Sequence, residues 1–331
     1  MNSVLITGGS GYFGHGLVKH LLDHNLCRRI CIYSRGEFAQ VQMREKFKND
    51  ERLRFFIGDV RDLARLTRAM AGCDLVVHGA ALKRVEVGEH DAEEMAKTNV
   101  MGAINVVQAA RDAGLGWPPI AVPRKVILLS SDKACSPLNC YGATKFVAEK
   151  IVLAANNVRN PIEPIFSVCR YGNVAGSTGS VIPTWRAQMQ YDVGVDTDRS
   201  IISGRVTLTD PDATRFWMSR EEAVKMVLWT AEHMHGGELV VPSLPAYRLG
   251  DLAEAMDLTW TLTGLGAGEK QHEQMISGYE AAAFWRTGDG EYWIANGPAD
   301  YQHEVRQRVF SSHHARRMTI EELRQRLGEI E

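Results

Sequence analysis

Short apolar runs alternate with stretches of helical periodicity through the first half of the chain. The apolar runs predict buried strands at Val4–Ile6, Arg29–Tyr33, Arg54–Ile57, Leu75–His78, Lys125–Leu129 and Ile165–Cys169. Between them, helical periodicity covers residues 14–22, 63–70, 99–113 and 141–156. Strands that alternate with helices in this way predict an α/β fold with a doubly wound parallel sheet, covered by helices on both faces.

A glycine-rich loop joins the first predicted strand to the first predicted helix. Gly8, Gly11 and Gly14 let the backbone turn tightly and approach a pyrophosphate at a helix N-terminus, with Tyr12 and Phe13 beside them. A strand before the loop and a helix after it are the context that this motif requires. The sequence therefore predicts a Rossmann-type dinucleotide-binding domain.

The end of the second predicted strand indicates which dinucleotide is bound. NAD-binding folds usually place an acidic side chain about 20 residues beyond the glycine loop, but this chain has Ser34 and Arg35 there. A hydroxyl and a guanidinium suit a 2′-phosphate, which favours NADP, although Glu37 nearby keeps NAD possible. The further predicted cofactor contacts are Asp59, Val60, Ala80, Ala81, Lys83 and Asn99; the alternative for Asn99 is a simple helix N-cap.

The segment after the fifth predicted strand carries the candidate chemistry. Tyr141 and Lys145 lie four residues apart and share a helix face. Bringing a tyrosine to a neutral pKa needs roughly 4 kcal/mol, and one cation at about 4 Å supplies roughly that much at an effective dielectric near 20. Such a tyrosine could take the proton from a sugar hydroxyl while a cofactor takes the hydride. Asp132 and Lys133 stand in the turn between the fifth predicted strand and Tyr141. If they have no part in the chemistry, they form a polar loop in which Asp132 caps the backbone and Lys133 lies in water.

After Asn173 the alternating pattern loosens into glycine-rich turns and short helices. We predict that residues 1–172 form the dinucleotide-binding domain and carry the catalytic residues. Residues 173–331 are expected to form a smaller, mostly substrate-binding lobe, with segments that return to the first domain. The charged stretch Thr319–Leu327 is typical of an amphipathic helix capped by Thr319.

Composition narrows the classes of function. With 331 residues, of which 45% are apolar, the chain is long enough for one large domain and a smaller lobe. Its 38 basic and 40 acidic residues give a net charge of −2, so no global field attracts nucleic acid or an anionic membrane. The six cysteines include no Cys-x-x-Cys pair, and His272 and Glu273 lack a third metal ligand. Because Met1 leads directly into the first strand and no apolar run approaches about 20 residues, we predict a cytoplasmic protein without nucleic-acid, membrane or metal partners.

These motifs together resemble the extended short-chain dehydrogenase/reductases that act on nucleotide sugars. The residues that carry the resemblance are the glycine loop, Asp59-Val60, Ala80-Ala81-Leu82-Lys83, Asn99 and Tyr141-x-x-x-Lys145. Within that group, residues 131–134 and 139–145 most resemble the C5-inverting UDP-N-acetylglucosamine 4,6-dehydratases of bacterial surface-sugar pathways such as that of pseudaminic acid. The likeness runs nearly end to end, through residues 170–174, 179–183, 214–217, 268–273, 310–312 and 321–323.

The resemblance implies NADP chemistry in three steps on UDP-N-acetylglucosamine. Tyr141, helped by Lys145, oxidises the C4 hydroxyl as hydride passes to the nicotinamide. The ketone acidifies C5, so that Lys133 removes that proton while Asp132 protonates the departing C6 hydroxyl. Hydride then returns to C6 and regenerates the cofactor. Dehydratases that retain the C5 configuration carry Asp-Glu where this chain has Asp132-Lys133, which favours the inverting branch.

The resemblance also implies a substrate site and a homo-oligomer. The expected substrate-binding residues are Lys83, Ser131, Asn173, Val181, Thr184, Arg205, Arg215 and Glu269. The family pattern Arg-Pro-Gly-Glu-Lys is replaced here by residues 266–270, Gly-Ala-Gly-Glu-Lys, which removes a cation expected to meet the nucleotide diphosphate. Arg215 remains and is predicted to engage the diphosphate bidentately.

Two other functions compete with this interpretation. A nucleotide-sugar 4-epimerase would use the same Tyr141–Lys145 pair but needs no acid and base for C5 and C6; a dehydratase that retains C5 is its near relative. A non-catalytic dinucleotide-binding regulator would not need an intact Tyr141–Lys145 pair.

Overall fold

The computed structural model describes residues 1–113, 125–158, 163–191, 205–297 and 309–330. Its strands are β1 (Ser3–Thr7), β2 (Arg29–Ser34), β3 (Leu53–Ile57), β4 (Leu75–His78), β5 (Lys125–Leu129), β6 (Ile165–Cys169), β7 (Arg205–Leu208), β8 (Thr214–Phe216), β9 (Leu239–Pro242), β10 (Ala246–Arg248), β11 (Thr259–Leu262), β12 (Gln274–Ile276), β13 (Phe284–Arg286), β14 (Tyr292–Ala295) and β15 (Phe310–Ser311). Its α-helices are α1 (Tyr12–Asp23), α2 (Glu37–Lys46), α3 (Leu63–Met70), α4 (Val85–His90), α5 (Ala92–Ala96), α6 (Gly102–Asp112), α7 (Cys140–Ala154), α8 (Val181–Tyr191), α9 (Arg220–His233), α10 (Leu249–Ala255) and α11 (Ile320–Gly328).

The described residues form a nine-stranded main sheet in the order β13-β14-β9-β6-β5-β4-β1-β2-β3. From β3 through β9 every neighbouring pair is parallel. The strands that the sequence predicts are all present, and their order 3-2-1-4-5-6 is that of a dinucleotide-binding Rossmann fold, which confirms the predicted fold class. Strands β9, β13 and β14 come from the second half of the chain and extend this sheet.

Two hydrophobic cores support the structure. The larger one surrounds the main sheet, where all residues of β1 and β6 are buried because helices cover both faces. The smaller core is built from the second half of the chain and includes Ile182, Trp185, Trp217, Leu252 and Leu323. Each such large apolar side chain contributes roughly 1.5–3 kcal/mol on full burial. The larger core therefore draws on both halves of the chain, whereas the described members of the smaller core all come from the second half.

The helices differ from expectation at three places. Helix α2 is not among the predicted helices, because its apolar residues Phe38 and Val41 are exposed and its buried residues are only Gln40 and Met43. Helix α1 begins two residues earlier than predicted, at Tyr12. The prediction that Asn99 opens a helix was wrong, because helical structure already starts at Ala92 and continues through a π-helical turn at Lys97–Met101.

The C-terminal helix follows the prediction closely. Thr319 caps α11, accepting a hydrogen bond from the Glu322 amide, while the Glu322 side chain accepts one from the Thr319 amide. This reciprocal pair is a capping box. None of the helices within the described residues is both long and apolar enough to cross a bilayer.

A buried ion cluster ties β6 to the second half of the chain. The Arg170 guanidinium is fully buried and donates to both carboxylate oxygens of Glu149 on α7, at 2.9 and 2.6 Å. It also donates to Glu280 and to the Met275 carbonyl oxygen, the latter at 2.8 Å. Burial raises the pKa of Glu280, but hydrogen bonds from Arg170 and Ser277 outweigh it and lower the pKa to about 2. The cluster therefore fixes residues 275–280 against α7.

Candidate active site

A cavity of about 450 Å³ opens where the parallel strands end, at the point where the strand order reverses between β1 and β4. This is where open α/β sheets bind their ligands. The predicted cofactor residues that line it are Gly8, Gly11, Tyr12, Phe13, Gly14, Ser34, Arg35, Asp59, Val60, Ala80, Ala81, Lys83, Tyr141 and Lys145. Asn99 is the exception among the predicted cofactor residues. Its amide instead holds the backbone of Leu82, accepting from the N–H and donating to the carbonyl oxygen, both at 2.9 Å.

The glycine loop brings the backbone close to the next strand. Gly8 has φ +68°, and a Cβ there would lie 2.9 Å from the Ala80 Cα. At Gly14, a Cβ would lie 2.0 Å from the Gly9 carbonyl oxygen, so no side chain fits. Helix α1 starts at Tyr12, and the residues of its first turn, Tyr12, Phe13 and Gly14, line the same cavity. A helix N-terminus of this kind binds phosphate.

Two orphaned hydroxyls indicate that the cavity is made for a polar ligand. Thr98 Oγ1 and Ser130 Oγ are buried and lack a hydrogen-bond partner among the described residues, and both residues line the cavity. Because unsatisfied buried polar groups are costly, a ligand that supplies partners would relieve both. Together with the glycine loop, this fits a dinucleotide.

The end of β2 has hydroxyls and a cation but no acidic side chain. Ser10 Oγ donates to Ser34 Oγ at 2.9 Å, and the Gln40 amide donates to the same oxygen. Arg35 is exposed at the cavity rim, 3.8 Å from the Asp59 carboxylate. That carboxylate already accepts hydrogen bonds from Nε and Nη2 of Arg61, at 3.0 and 2.8 Å.

Tyr141 stands in the first turn of α7, and a chain of polar side chains leads away from it. Asn139 caps the helix by accepting from the Gly142 amide at 2.8 Å. The phenol of Tyr141 hydrogen bonds with Ser131, and Ser131 Oγ donates to Asp132 Oδ1 at 2.9 Å. Lys133 Nζ donates to the same carboxylate oxygen at 3.2 Å. The structure thus connects the three predicted catalytic groups Tyr141, Asp132 and Lys133.

The expected effect of Lys145 on Tyr141 was wrong for this structure. Burial raises the pKa of Tyr141, opposed by the Ser131 hydrogen bond and the charge of Lys133. The Lys145 amine donates instead to the Leu129 carbonyl oxygen. Burial lowers the pKa of Lys145 to about 8, partly offset by Glu149. The physical reason is that both side chains are desolvated and the amine is turned toward β5.

Lys133 lies among three oxygen acceptors. Besides Asp132, its Nζ reaches Asn173 Oδ1 at 3.3 Å and Glu273 Oε1 at 3.4 Å. Burial lowers the pKa of Lys133, but the two carboxylates outweigh it and raise the pKa overall. Burial raises the pKa of Asp132, and the opposing charge of Lys133 does not cancel this. At rest, therefore, the proton resides on the amine, and Asp132 is the carboxyl group that most readily accepts it.

Glu273 is a member of the site that the sequence did not predict. In the sequence it stands out only as half of a possible metal pair, yet the side chain is 4% exposed and faces Lys133. The only signal was its position three residues after Lys270, in a motif shared with the resembled family. The lining residues that were not predicted also include Ser10, Thr98, Ser130, Tyr171 and Ser177.

The predicted substrate residues divide into two groups. Lys83, Ser131 and Asn173 line the cavity. The others do not: Val181 is the first residue of α8, Thr184 donates to the Ser180 carbonyl oxygen, and Arg205 donates to Thr261.

Arg215 and Glu269 also lie off the cavity and pair with each other. Arg215 Nη2 donates to Glu269 Oε1 at 2.7 Å. Its Nη1 donates to the carbonyl oxygens of Thr214 and Gln271, at 2.9 and 3.0 Å. The guanidinium is thus already engaged, and bidentate binding of a diphosphate requires Glu269 to release it.

The doubly wound sheet, the glycine loop and the Tyr-x-x-x-Lys pair beside a dinucleotide-sized cavity define an extended short-chain dehydrogenase/reductase. The profile of one family, described as polysaccharide biosynthesis protein, matches residues 4–289. The chain belongs to this family.

The proteins similar in sequence include a dehydratase and an epimerase, both named for UDP-linked sugars. The chain is 44% identical over 277 residues to a UDP-N-acetylglucosamine 4,6-dehydratase (inverting) of Campylobacter jejuni, covering 83% of this chain and 77% of the relative. It is 35% identical over 344 aligned residues to a UDP-glucose 4-epimerase of Rickettsia conorii, covering 98% and 95%. The recognition of an extended short-chain dehydrogenase/reductase of the dehydratase type is confirmed.

Solved structures show the same fold. Pen from Bacillus thuringiensis superposes with a TM-score of 0.86 at 30% identity, covering 99% of this chain and 98% of its own. The dTDP-glucose 4,6-dehydratase DesIV from Streptomyces venezuelae, solved with NAD and TYD bound, superposes with a TM-score of 0.68 at 20% identity, covering 81% and 86%. At that identity the second likeness bears on the fold alone.

Proposed function

We propose that this protein is a UDP-N-acetylglucosamine 4,6-dehydratase that inverts C5 and forms a UDP-4-keto-6-deoxy-N-acetylhexosamine. The observation that carries the proposal is the connected set Tyr141–Ser131–Asp132–Lys133, in which a carboxyl group and an amine lie beside the catalytic tyrosine. Loss of water across C5 and C6 needs one group to take a proton and another to give one. The inverting dehydratase of Campylobacter jejuni, at 44% identity, supports the same reaction.

The residues divide the reaction between them. Tyr141 must be ionised to act, and as the phenolate it accepts the proton of the C4 hydroxyl while hydride leaves C4, which makes C4 a ketone and acidifies C5. Transfer of the Lys133 proton to Asp132 makes a neutral amine and a protonated acid in one internal step, so no outside proton is needed. Lys133 then takes the C5 proton, and Asp132 gives its proton to the C6 hydroxyl, which leaves as water. A bound nicotinamide would accept the hydride from C4 and later return it to C6. The Lys133 ammonium then gives a proton to C5, which completes the 6-deoxy sugar.

We infer that the nicotinamide cofactor is NADP. Ser10, Ser34 and Arg35 gather two hydroxyls and a guanidinium at the end of β2, where an NAD site usually has an acid. Asp59, the nearest carboxylate, is bound by Arg61, which offsets its repulsion of a 2′-phosphate. NAD remains the alternative.

The protein is also proposed to be a homo-oligomer. Met101, Ile104 and Val147 on the neighbouring helical stretches around α6 and α7 are 48%, 40% and 42% exposed, which supports burial against another copy. Light scattering after size-exclusion chromatography measures the mass directly.

A 4-epimerase is the second candidate, because the Rickettsia epimerase aligns with 98% of this chain, more than the dehydratase does. Incubation with UDP-N-acetylglucosamine in deuterated water, followed by mass spectrometry, separates the two. We expect loss of one water and incorporation of solvent deuterium at C5. An epimerised sugar that keeps its C6 oxygen and its C5 hydrogen would reject the dehydratase. In ordinary water, the nuclear Overhauser contact between H3 and H5 of the product reports the configuration at C5 and so separates inversion from retention.

A further inference from the structure

Glu273 is a second carboxylate beside Lys133, and the proposed reaction assigns no role to it. Its Oε1 lies 3.4 Å from Lys133 Nζ, and Asp132, the sequence neighbour of the lysine, contacts the same amine at 3.2 Å. Burial raises the pKa of Glu273, but Lys133, Arg215 and Lys270 outweigh it and lower the pKa, so the group is an anion at neutral pH. An anion this close favours the protonated amine.

The backbone around Glu273 is fixed from two directions. Its N–H donates to Ser312 Oγ at 2.9 Å, and its carbonyl oxygen accepts from the Ser312 N–H at 2.8 Å. Two residues later, the Met275 carbonyl oxygen accepts from the buried Arg170. The carboxylate is therefore held in position by groups other than Lys133.

A purely structural ion pair in this protein looks different. Glu149 uses both carboxylate oxygens to bind the Arg170 guanidinium. In Glu273 only Oε1 meets a cation, whereas Oε2 is buried without a hydrogen-bond partner among the described residues. A half-satisfied buried carboxylate is costly and adds little to stability. The geometry of Glu273 is better suited to influencing the Lys133 amine than to holding two segments of the chain together.

We propose that Glu273 is a positioning residue that orients the Lys133 amine and strengthens it as a base. This rests on the proposed function, in which Lys133 takes the C5 proton. A neutral amine has two N–H groups and one lone pair. With the N–H groups donated to Asn173 and Glu273, the lone pair is left available to take the C5 proton. When Lys133 accepts the C5 proton, the fixed anion stabilises the ammonium that forms.

Several charged or titratable groups act on Lys133 and must be held constant in any test. Those that face it are Asp132, Glu273, Arg215, Lys83, Tyr141 and Tyr247. Replacing Glu273 by Gln keeps the shape and an oxygen acceptor while it removes one charge. Glu291→Gln is the matched control, since Glu291 pairs only with exposed Lys225 among the described ion pairs.

The first test needs neither substrate nor cofactor. The protein is labelled with acetic anhydride at one mildly alkaline pH, and the labelling rate of Lys133 relative to exposed lysines is measured by mass spectrometry. Loss of an opposite charge at this distance lowers a lysine pKa by about one to three units. We therefore expect Glu273→Gln to raise the relative rate by roughly tenfold or more, and Glu291→Gln to leave it unchanged. An unchanged rate in Glu273→Gln overturns the proposal.

The second test separates the steps of the reaction. In Glu273→Gln, reduction of the bound cofactor by substrate in a single turnover should persist, while deuterium exchange at C5 falls by about tenfold or more. Glu273→Asp keeps the charge but moves it, so it should retain the wild-type labelling rate and still slow the exchange. Exchange at the wild-type rate in Glu273→Asp contradicts the positioning role, even if the Gln variant does not fold. If the wild-type protein neither loses water nor exchanges C5, the proposed function fails, while the labelling test still decides the effect of Glu273 on the amine.

Discussion

The two ends of the cavity are assembled in different ways. The cofactor end takes its lining from the turns that follow β1, β2, β3 and β4, all within residues 6–83. The acid–base end joins Ser131, Asp132 and Lys133 to Asn173 and Glu273, which lie some 40 and 140 positions further along the chain. The cofactor end is formed by one repeated strand-and-helix pattern. The acid–base end exists only once both halves of the chain have packed together.

The ends also differ in the physical means they use. The cofactor end relies on close backbone approach and a helix N-terminus, which need glycine and little else. The acid–base end relies on buried charges that shift one another's pKa: the pKa values of Lys133 and Asp132 are both raised, and that of Glu273 is lowered. Substitutions should therefore separate binding of the dinucleotide from elimination of water.

Tyr141 belongs to both ends, and its loss should have the largest effect. In Tyr141→Phe the C4 hydroxyl has no acceptor for its proton, so we expect formation of the keto sugar to fall by roughly 10⁴-fold. Cofactor affinity, measured by isothermal titration calorimetry, should change little because the ring still fills the same space. Turnover within about tenfold of the wild-type rate would contradict the role of Tyr141 as acceptor of the C4 hydroxyl proton.

Lys133→Met should leave the oxidation at C4 intact and impair the later loss of water. Oxidation at C4 depends on Tyr141 and should continue, which is visible as near-ultraviolet absorbance of reduced cofactor after one addition of substrate. Water loss and C5 deuterium exchange should fall by roughly 10²–10⁴-fold, the usual contribution of a general base. Equal loss of both signals would mean that Lys133 serves binding or the first step instead.

The same contrast explains what the sequence could predict. Because the strands of a parallel sheet end at one edge, contiguous motifs such as Gly8–Gly14 and Ala80–Ala81 predict a shared cavity from the sequence alone. The proximity of the three candidate catalytic residues, Tyr141, Asp132 and Lys133, was also predictable, because fewer than about ten positions separate them along the chain. Glu273 was not, since pairing across the two halves leaves no periodic trace. The direction of the Lys145 amine, toward Leu129 instead of the phenol, likewise depends on tertiary contacts.

The Arg170 cluster fixes residues 275–280 against α7, and its contribution to stability should depend on pH. The pKa of Glu280 falls from its ordinary value of 4.5 to about 2 on folding, which corresponds to about 3 kcal/mol of stability. Because the folded pKa is the lower one, this stability is present above about pH 4.5 and disappears as the pH falls toward 2. Urea unfolding should show Glu280→Gln less stable than wild type at pH 7, with the difference roughly halved by pH 3 and nearly gone at pH 2. A difference in the free energy of unfolding that stays constant with pH would show that the charge on Glu280 does not stabilise the folded protein.

The smallest expected effect tests the cofactor end alone. Arg35 is exposed at the rim and makes no contact closer than its 3.8 Å pairing with Asp59 among the described ion pairs. Arg35→Ala should therefore leave the free energy of unfolding nearly unchanged while it weakens NADP binding by about ten- to a hundredfold, the loss of one charge-assisted contact of roughly 1.5–3 kcal/mol. NAD affinity should stay within a few-fold, because the two dinucleotides differ only in the 2′-phosphate. Calorimetric titration of both cofactors against both proteins measures this, with Arg28→Ala, a surface arginine on the loop before β2, as the control for loss of one positive charge. Equal weakening of NAD and NADP would mean that Arg35 contacts a part common to both, and that the cofactor end does not select the phosphate through this residue.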